Sequence, residues 1–207
     1  MKKNNEDCKL SQSVLFKLGM LKGVMMKMDE SLLDYICLEQ QNEGLIEEDV
    51  LLFDVSFQNL YQRLLNVNHK FEFLQAYLIQ NEWIIRPINF KKVIDELDSY
   101  QSFIQALDKC IDEYFALIDR IEQNVRLNIE TIRKSLYNEA TKNNLIVLYD
   151  YFKTHQKSDV SNCALFMNVS YNTAALLVQS LEDLGMIQLL NKQRRNKLYS
   201  IILNLIV

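Results

Sequence analysis

Ile104, Leu107, Ile111, Tyr114, Ile118, Ile121 and Val125 follow one another at alternating spacings of three and four residues. Only a helix gathers side chains at that spacing into one stripe, so this run commits the middle of the chain to a long α-helix. Nothing breaks it. The stretch from Asn89 to Asn143 contains no glycine or proline, and the whole 207-residue chain has 4 glycines and 1 proline. Strand-rich folds need many turns, so this scarcity predicts a mainly α protein. Asn128 falls where the next apolar residue is due, and Ile129, Ile132 and Leu136 resume the pattern nearby. A polar residue in such a seam either fixes register in a dimer or faces solvent in a bundle, and the spacing allows both. A seam of roughly four heptads predicts a homodimer through this helix. The alternative is packing against the chain's own N-terminal helices.

Residues 1 to 9 are polar. From Ser11, apolar residues recur at helical intervals, weakened at Gly19, Gly23 and Gly44. The methionines between Met20 and Met28 read as core filling. "IEEDVLLFDVSFQNLYQRLLNVNHKFEFLQAYLIQ" predicts one or two further helices, with a break at Asn66 to Asn68. The only proline, Pro87, pushes Arg86 towards an extended conformation and sets a helix boundary. "EATKNN" at 139–144 reads as the connector to a second domain.

Beyond it the pattern changes. "NLIVLYDYFKTHQ" predicts a helix, and "SDVSNCALFMN" a shorter one capped by Ser158 or Asp159, with Cys163, Ala164, Phe166 and Met167 as its apolar turns. "VSYNT" is a tight turn anchored by Val169. A third helix then runs from about Tyr171 to Leu184, capped by Ser170 and burying Ala174, Leu177, Val178, Leu181 and Leu184. Gly185 ends it in the left-handed conformation. "MIQLL" and "KLYSIIL" flank "NKQRRNK" as a β-hairpin with a charged tip. Helix, helix, turn, helix, hairpin is the order of a winged helix-turn-helix, whose third helix enters the major groove by its N-terminal end. Ser170, Tyr171, Asn172 and Thr173 would face the bases there, and Lys192, Arg194, Arg195 and Lys197 would hold phosphates from the hairpin. No lysine or arginine lies in the reading end of that helix.

Charge supports this locally and not globally. The chain carries a formal net charge of −4, yet residues 155–207 hold 5 of the 23 basic residues and 3 of the 27 acidic ones. Cys8, Cys37, Cys110 and Cys163 stand far apart, with no CxxC or Cys/His spacing, which predicts reduced thiols in a cytoplasmic protein and no metal site. No apolar run is long enough for a membrane span, and no signal peptide is legible. Phosphate-cradling glycine loops, HExxH and GxSxG are absent, and the only histidines are His69 and His155. No catalytic centre and no cofactor are implied.

"VSYNTAALLVQSLEDLGMIQLLNKQRRNKLYSI" resembles the C-terminal winged-helix module of Fic family proteins, enzymes that transfer AMP to protein hydroxyls. "IDEYFALIDRIEQNV" is similar to the helix leading into that module, and "LGMLKGVMMKMDESLLDYICLEQQNEGLIEEDVL" resembles the family's N-terminal helices. The family's catalytic motif HPFxxGNGR is missing. "HKFEFLQAY" shares only His69, Phe71 and Glu72 with it, and without the Gly-Asn-Gly-Arg turn nothing would hold nucleotide phosphates. The resemblance therefore implies a relative that kept the scaffold without the enzyme.

The expected architecture is mainly α: an N-terminal helical domain with a long helix at 1–138, then a winged helix-turn-helix with a small β-hairpin at 139–207. The expected function is a DNA-binding transcriptional regulator, dimeric, with double-stranded DNA as its partner. The second expectation is a non-catalytic Fic-like module whose winged helix contacts a protein.

Overall fold

The computed structural model describes residues 2–38, 56–191 and 197–203. It is mainly helical, with one small antiparallel sheet of three strands. The chain divides into two compact units, residues 1–117 and 118–207.

The first unit opens with α1 (Lys2–Met25), which buries Val14, Leu18, Leu21 and Met25, a stripe at helical spacing. Met20 and Met26 are exposed, so of the methionine run expected in the core only Met25 is fully buried. Asp29 caps α2 (Glu30–Ile36) by accepting from the Ser31 N–H, and Ser56 caps α3 (Phe57–Asn66) by accepting from the Asn59 N–H. The break at Asn66 to Asn68 separates α3 from α4 (Lys70–Gln80) as the sequence suggests.

The segment around Pro87 is tied down by one buried side chain. The Gln75 amide on α4 accepts from the Ile88 N–H at 3.1 Å and donates back to the Ile88 carbonyl, as a neighbouring strand would. Leu38 N–H donates to the Pro87 carbonyl, and Arg86 pairs with Asp34 at 2.8 Å. Tyr114 Oη accepts from the Asn89 N–H. Beyond it lies the short α5 (Lys91–Asp95). The region from Asn89 to Asn143 is therefore not one helix. Ser99 starts a fresh one by accepting from the Ser102 N–H, and α6 (Tyr100–Lys134) then runs unbroken for 35 residues.

Ile104, Leu107, Ile111, Tyr114, Ile118 and Ile121 on α6 are all buried within the single chain. The stripe that suggested a coiled coil is thus covered within the chain from Ile104 to Ile121, whereas Val125 is half-buried and Leu136 beyond it is fully exposed. Asn128 is half-buried and has partners within its own chain. Its Nδ2 donates to Tyr149 Oη at 2.9 Å and to Asn124 Oδ1 at 3.1 Å. Tyr149 is fully buried, so the polar residue in the seam supplies the partner its hydroxyl needs.

Asn138 then caps α7 (Glu139–His155) by accepting from the Thr141 N–H. "EATKNN", read as a connector, forms the first turns of this helix instead, because the cap lies just before it. The order continues with β1 (Lys157–Asp159), α8 (Val160–Met167), α9 (Tyr171–Asp183), β2 (Ile187–Leu189) and β3 (Leu198–Ile201). In the sheet, β3 lies between β1 and β2, with Ser158 opposite Tyr199 and Ile187 opposite Ile201. Leu145, Leu148, Tyr149 and Phe152 on α7, Val160 and Cys163 on α8, and Met186, Ile187, Tyr199 and Ile201 are buried.

Candidate nucleic-acid interface

The candidate site is the exposed side of α8 and α9. Two local devices aim these helices. At the end of α8, Asn168 takes the left-handed conformation (φ 51°, ψ 47°), and the Val169 N–H turns back to the Ala164 carbonyl at 3.1 Å. Asparagine tolerates that conformation better than other residues with a Cβ. At the end of α9, Gly185 (φ 71°) lets the Met186 N–H reach the Leu181 carbonyl, which sends the chain into β2.

Asp159, one of the two expected caps of α8, accepts from the Asn162 N–H at 2.8 Å. Ser158 has another role: it lies buried in β1, with its hydroxyl 3.1 Å from Tyr151 Oη. Strand β1 itself escapes the sequence reading because a three-residue strand leaves no periodicity.

Of the four residues expected at the reading end of α9, all are exposed. Their chemistry differs. Ser170 Oγ accepts from the Thr173 N–H at 3.2 Å and lies 2.9 Å from Thr173 Oγ1, so these two hydroxyls are engaged with each other at the cap. Tyr171 is 59% exposed, and neither it nor Asn172 has a hydrogen-bond partner among the described residues. Lys197 is exposed at the start of β3. Lys192, Arg194 and Arg195 lie outside the described residues; the described ends of their loop are joined by Leu190 N–H to the Leu198 carbonyl and Leu198 N–H to Asn191 Oδ1.

Ala174, Leu177, Val178 and Leu181 form the buried stripe of α9, while Leu184 is only half-buried. Phe166, expected as an inward residue of α8, is half exposed. Its ring stacks on Tyr151 at 4.4 Å, and His155 stacks on the same tyrosine at 4.1 Å. The sequence reading also missed two leucines on the outside: Leu165 at 79% exposure and Leu176 at 72%. Leu176 was detectable, since it falls opposite the predicted buried stripe.

Elsewhere, His69 is exposed at the start of α4, with Glu72 in that helix's first turn. Among the described residues no cluster of histidine, cysteine, aspartate or glutamate has the arrangement of a metal site, and no helix is long and apolar enough to cross a membrane. No protein-family model matches the chain, and neither a curated protein nor a solved structure is detectably similar to it.

Proposed function

We propose that residues 139–207 form a winged helix-turn-helix that binds double-stranded DNA, and that the chain is a DNA-binding regulator. The observation that carries this reading is the order α7, β1, α8, α9, β2, β3 with β3 central in the sheet, combined with an α9 whose N-terminal end is exposed. On this reading α9 enters the major groove and the loop between β2 and β3 follows the backbone. That loop contains Lys192, Arg194 and Arg195, with Lys197 at its edge. The bases are met by a helix without a cation, so most of the affinity comes from this loop and is salt-dependent. The apolar stripe of α6 is buried inside the chain from Ile104 to Ile121, which leaves only its later residues, from Val125 to Leu136, or another surface for a second copy.

A salt titration of binding to mixed duplex DNA tests the reading. Wild type binds at low salt with an affinity that falls steeply as salt rises, and Arg194→Ala with Arg195→Ala reduces the log–log slope by roughly 2. Absence of a retarded complex at low salt overturns it. One observation favours a second reading, a non-catalytic Fic-like module that contacts a protein: the outward exposure of Leu165, Phe166 and Leu176. Co-purification of one partner at fixed stoichiometry, lost in Leu165→Asp, together with no DNA binding, would select it.

A further inference from the structure

The outer stripe of α9 is chemically selective. At 100° per residue, Asn172, Leu176, Gln179 and Asp183 fall on one line along the helix, opposite the buried Ala174, Leu177, Val178 and Leu181. Two of these four are engaged with each other: Gln179 Nε2 donates to Asp183 Oδ1 at 2.9 Å. The Ser170 and Thr173 hydroxyls are paired at the cap. On this line that leaves the Asn172 amide and the Leu176 side chain, one turn apart, facing outward without a partner among the described residues, with the exposed Tyr171 beside them.

In the major groove each base edge demands a particular partner. Guanine offers two acceptors, N7 and O6, and is read by arginine or lysine; α9 contains neither from Tyr171 to Asp183. Adenine offers N7 as acceptor and N6 as donor, which a carboxamide matches with its own donor and acceptor. Thymine presents a methyl group, which takes an apolar contact. Asn172 and Leu176 are separated along the helix by about 6 Å, roughly two base-pair steps. Aspartate at the far end of the stripe disfavours close approach to phosphates there, so contact centres on the Asn172–Leu176 half.

We infer that α9 reads A·T pairs, with Asn172 bonding an adenine bidentately and Leu176 packing on the methyl of a thymine one or two pairs away. This rests on the DNA-binding reading above. It assigns Leu176 as a specificity-determining residue and A·T-containing duplex as the class of ligand.

The test is selection of duplexes from a randomised pool by the full chain, followed by replacement of each thymine in the enriched site by uracil, which removes only the methyl. The enriched core contains adjacent A·T pairs. One thymine-to-uracil change weakens wild type about fourfold, the worth of a buried methyl group, and has no effect on Leu176→Ala. Asn172→Ala loses roughly tenfold or more on the enriched site and no longer distinguishes adenine at one position. A core built on G·C pairs, or an equal uracil effect in wild type and Leu176→Ala, overturns the A·T assignment while leaving DNA binding in place. Failure to enrich any duplex, with no retardation of the starting pool at low salt, overturns the DNA-binding reading itself.

Discussion

Replacing Asn128 by leucine gives the α6 seam the apolar residue its spacing calls for, and yet this substitution destabilises the protein. The reason is Tyr149, whose side chain is fully buried and whose hydroxyl receives the Asn128 amide at 2.9 Å. Burial raises the pKa of this tyrosine, and the Asn128 hydrogen bond works against that rise. Asn128→Leu leaves the hydroxyl buried without its donor, at a cost of about 1–3 kcal/mol. The added apolar area recovers only part of this, because position 128 is half-buried. The expected net loss is about 1–2 kcal/mol, or a fall in Tm of roughly 2–8 °C for a chain of this size. Tyr149→Phe alone costs about 1 kcal/mol, since Asn128 keeps its bond to Asn124. The double variant is more stable than the sum of the two single losses predicts, because no buried polar atom is stranded. Urea denaturation of all four proteins, followed by circular dichroism, measures the coupling, expected at about 0.5–2 kcal/mol. Additive losses, or an Asn128→Leu protein as stable as wild type, would refute the assignment of Asn128 as the tyrosine's partner.

Two further outcomes follow from the same structure. Burial pushes the Cys110 and Cys163 thiols up to about 11 from an ordinary 9.0, and the Tyr114 hydroxyl up to about 12 from 10.0. The folded state therefore holds these protons where the unfolded chain releases them, and the associated stability is present below pH 9 and lost as pH rises towards 11 and 12. Urea midpoints measured between pH 7.5 and 11 should fall from about pH 9, less steeply in Cys163→Ala, and a midpoint that stays flat contradicts the burial. Asn168→Val forces a β-branched residue into the left-handed conformation between α8 and α9 and should cost about 1–2 kcal/mol, whereas Asn168→Gly should be close to neutral. Equal stability of the two variants would show that the turn can relax.

Beyond the misread first turns of α7, the helices of the second half were legible because their signals are local. Asp159 and Ser170 carry the caps, Gly185 carries the stop, and the buried stripe of α9 repeats at helical spacing. What escaped depends on partners distant in sequence. Ser158 lies in β1 because Tyr199, 41 residues later, pairs with it, and nothing around Ser158 announces a strand. Periodicity in α6 reports that a stripe is covered and not by which chain, and only the structure shows Ile104 to Ile121 buried within this one. Asn128 could be understood only once Tyr149 was placed beside it. For the candidate interface, the sequence located Asn172 by its place in the turn. It passed over Leu176, which the predicted buried stripe already left on the opposite side, because a single exposed leucine draws no attention until its 72% exposure is seen.

The central position of β3 has a consequence for how the protein is made. During synthesis β1 emerges with nothing to pair with, and its partner follows only about 40 residues later, an interval of roughly 2–8 seconds at ordinary elongation rates. β2 waits for the same strand. During that interval α8 and then α9 emerge with their apolar stripes and no closed sheet beside them, after the whole of residues 1–117 has been made. The sheet of the second unit is thus gated by one late strand: neither β1 nor β2 has a partner until residues 198–201 have left the ribosome.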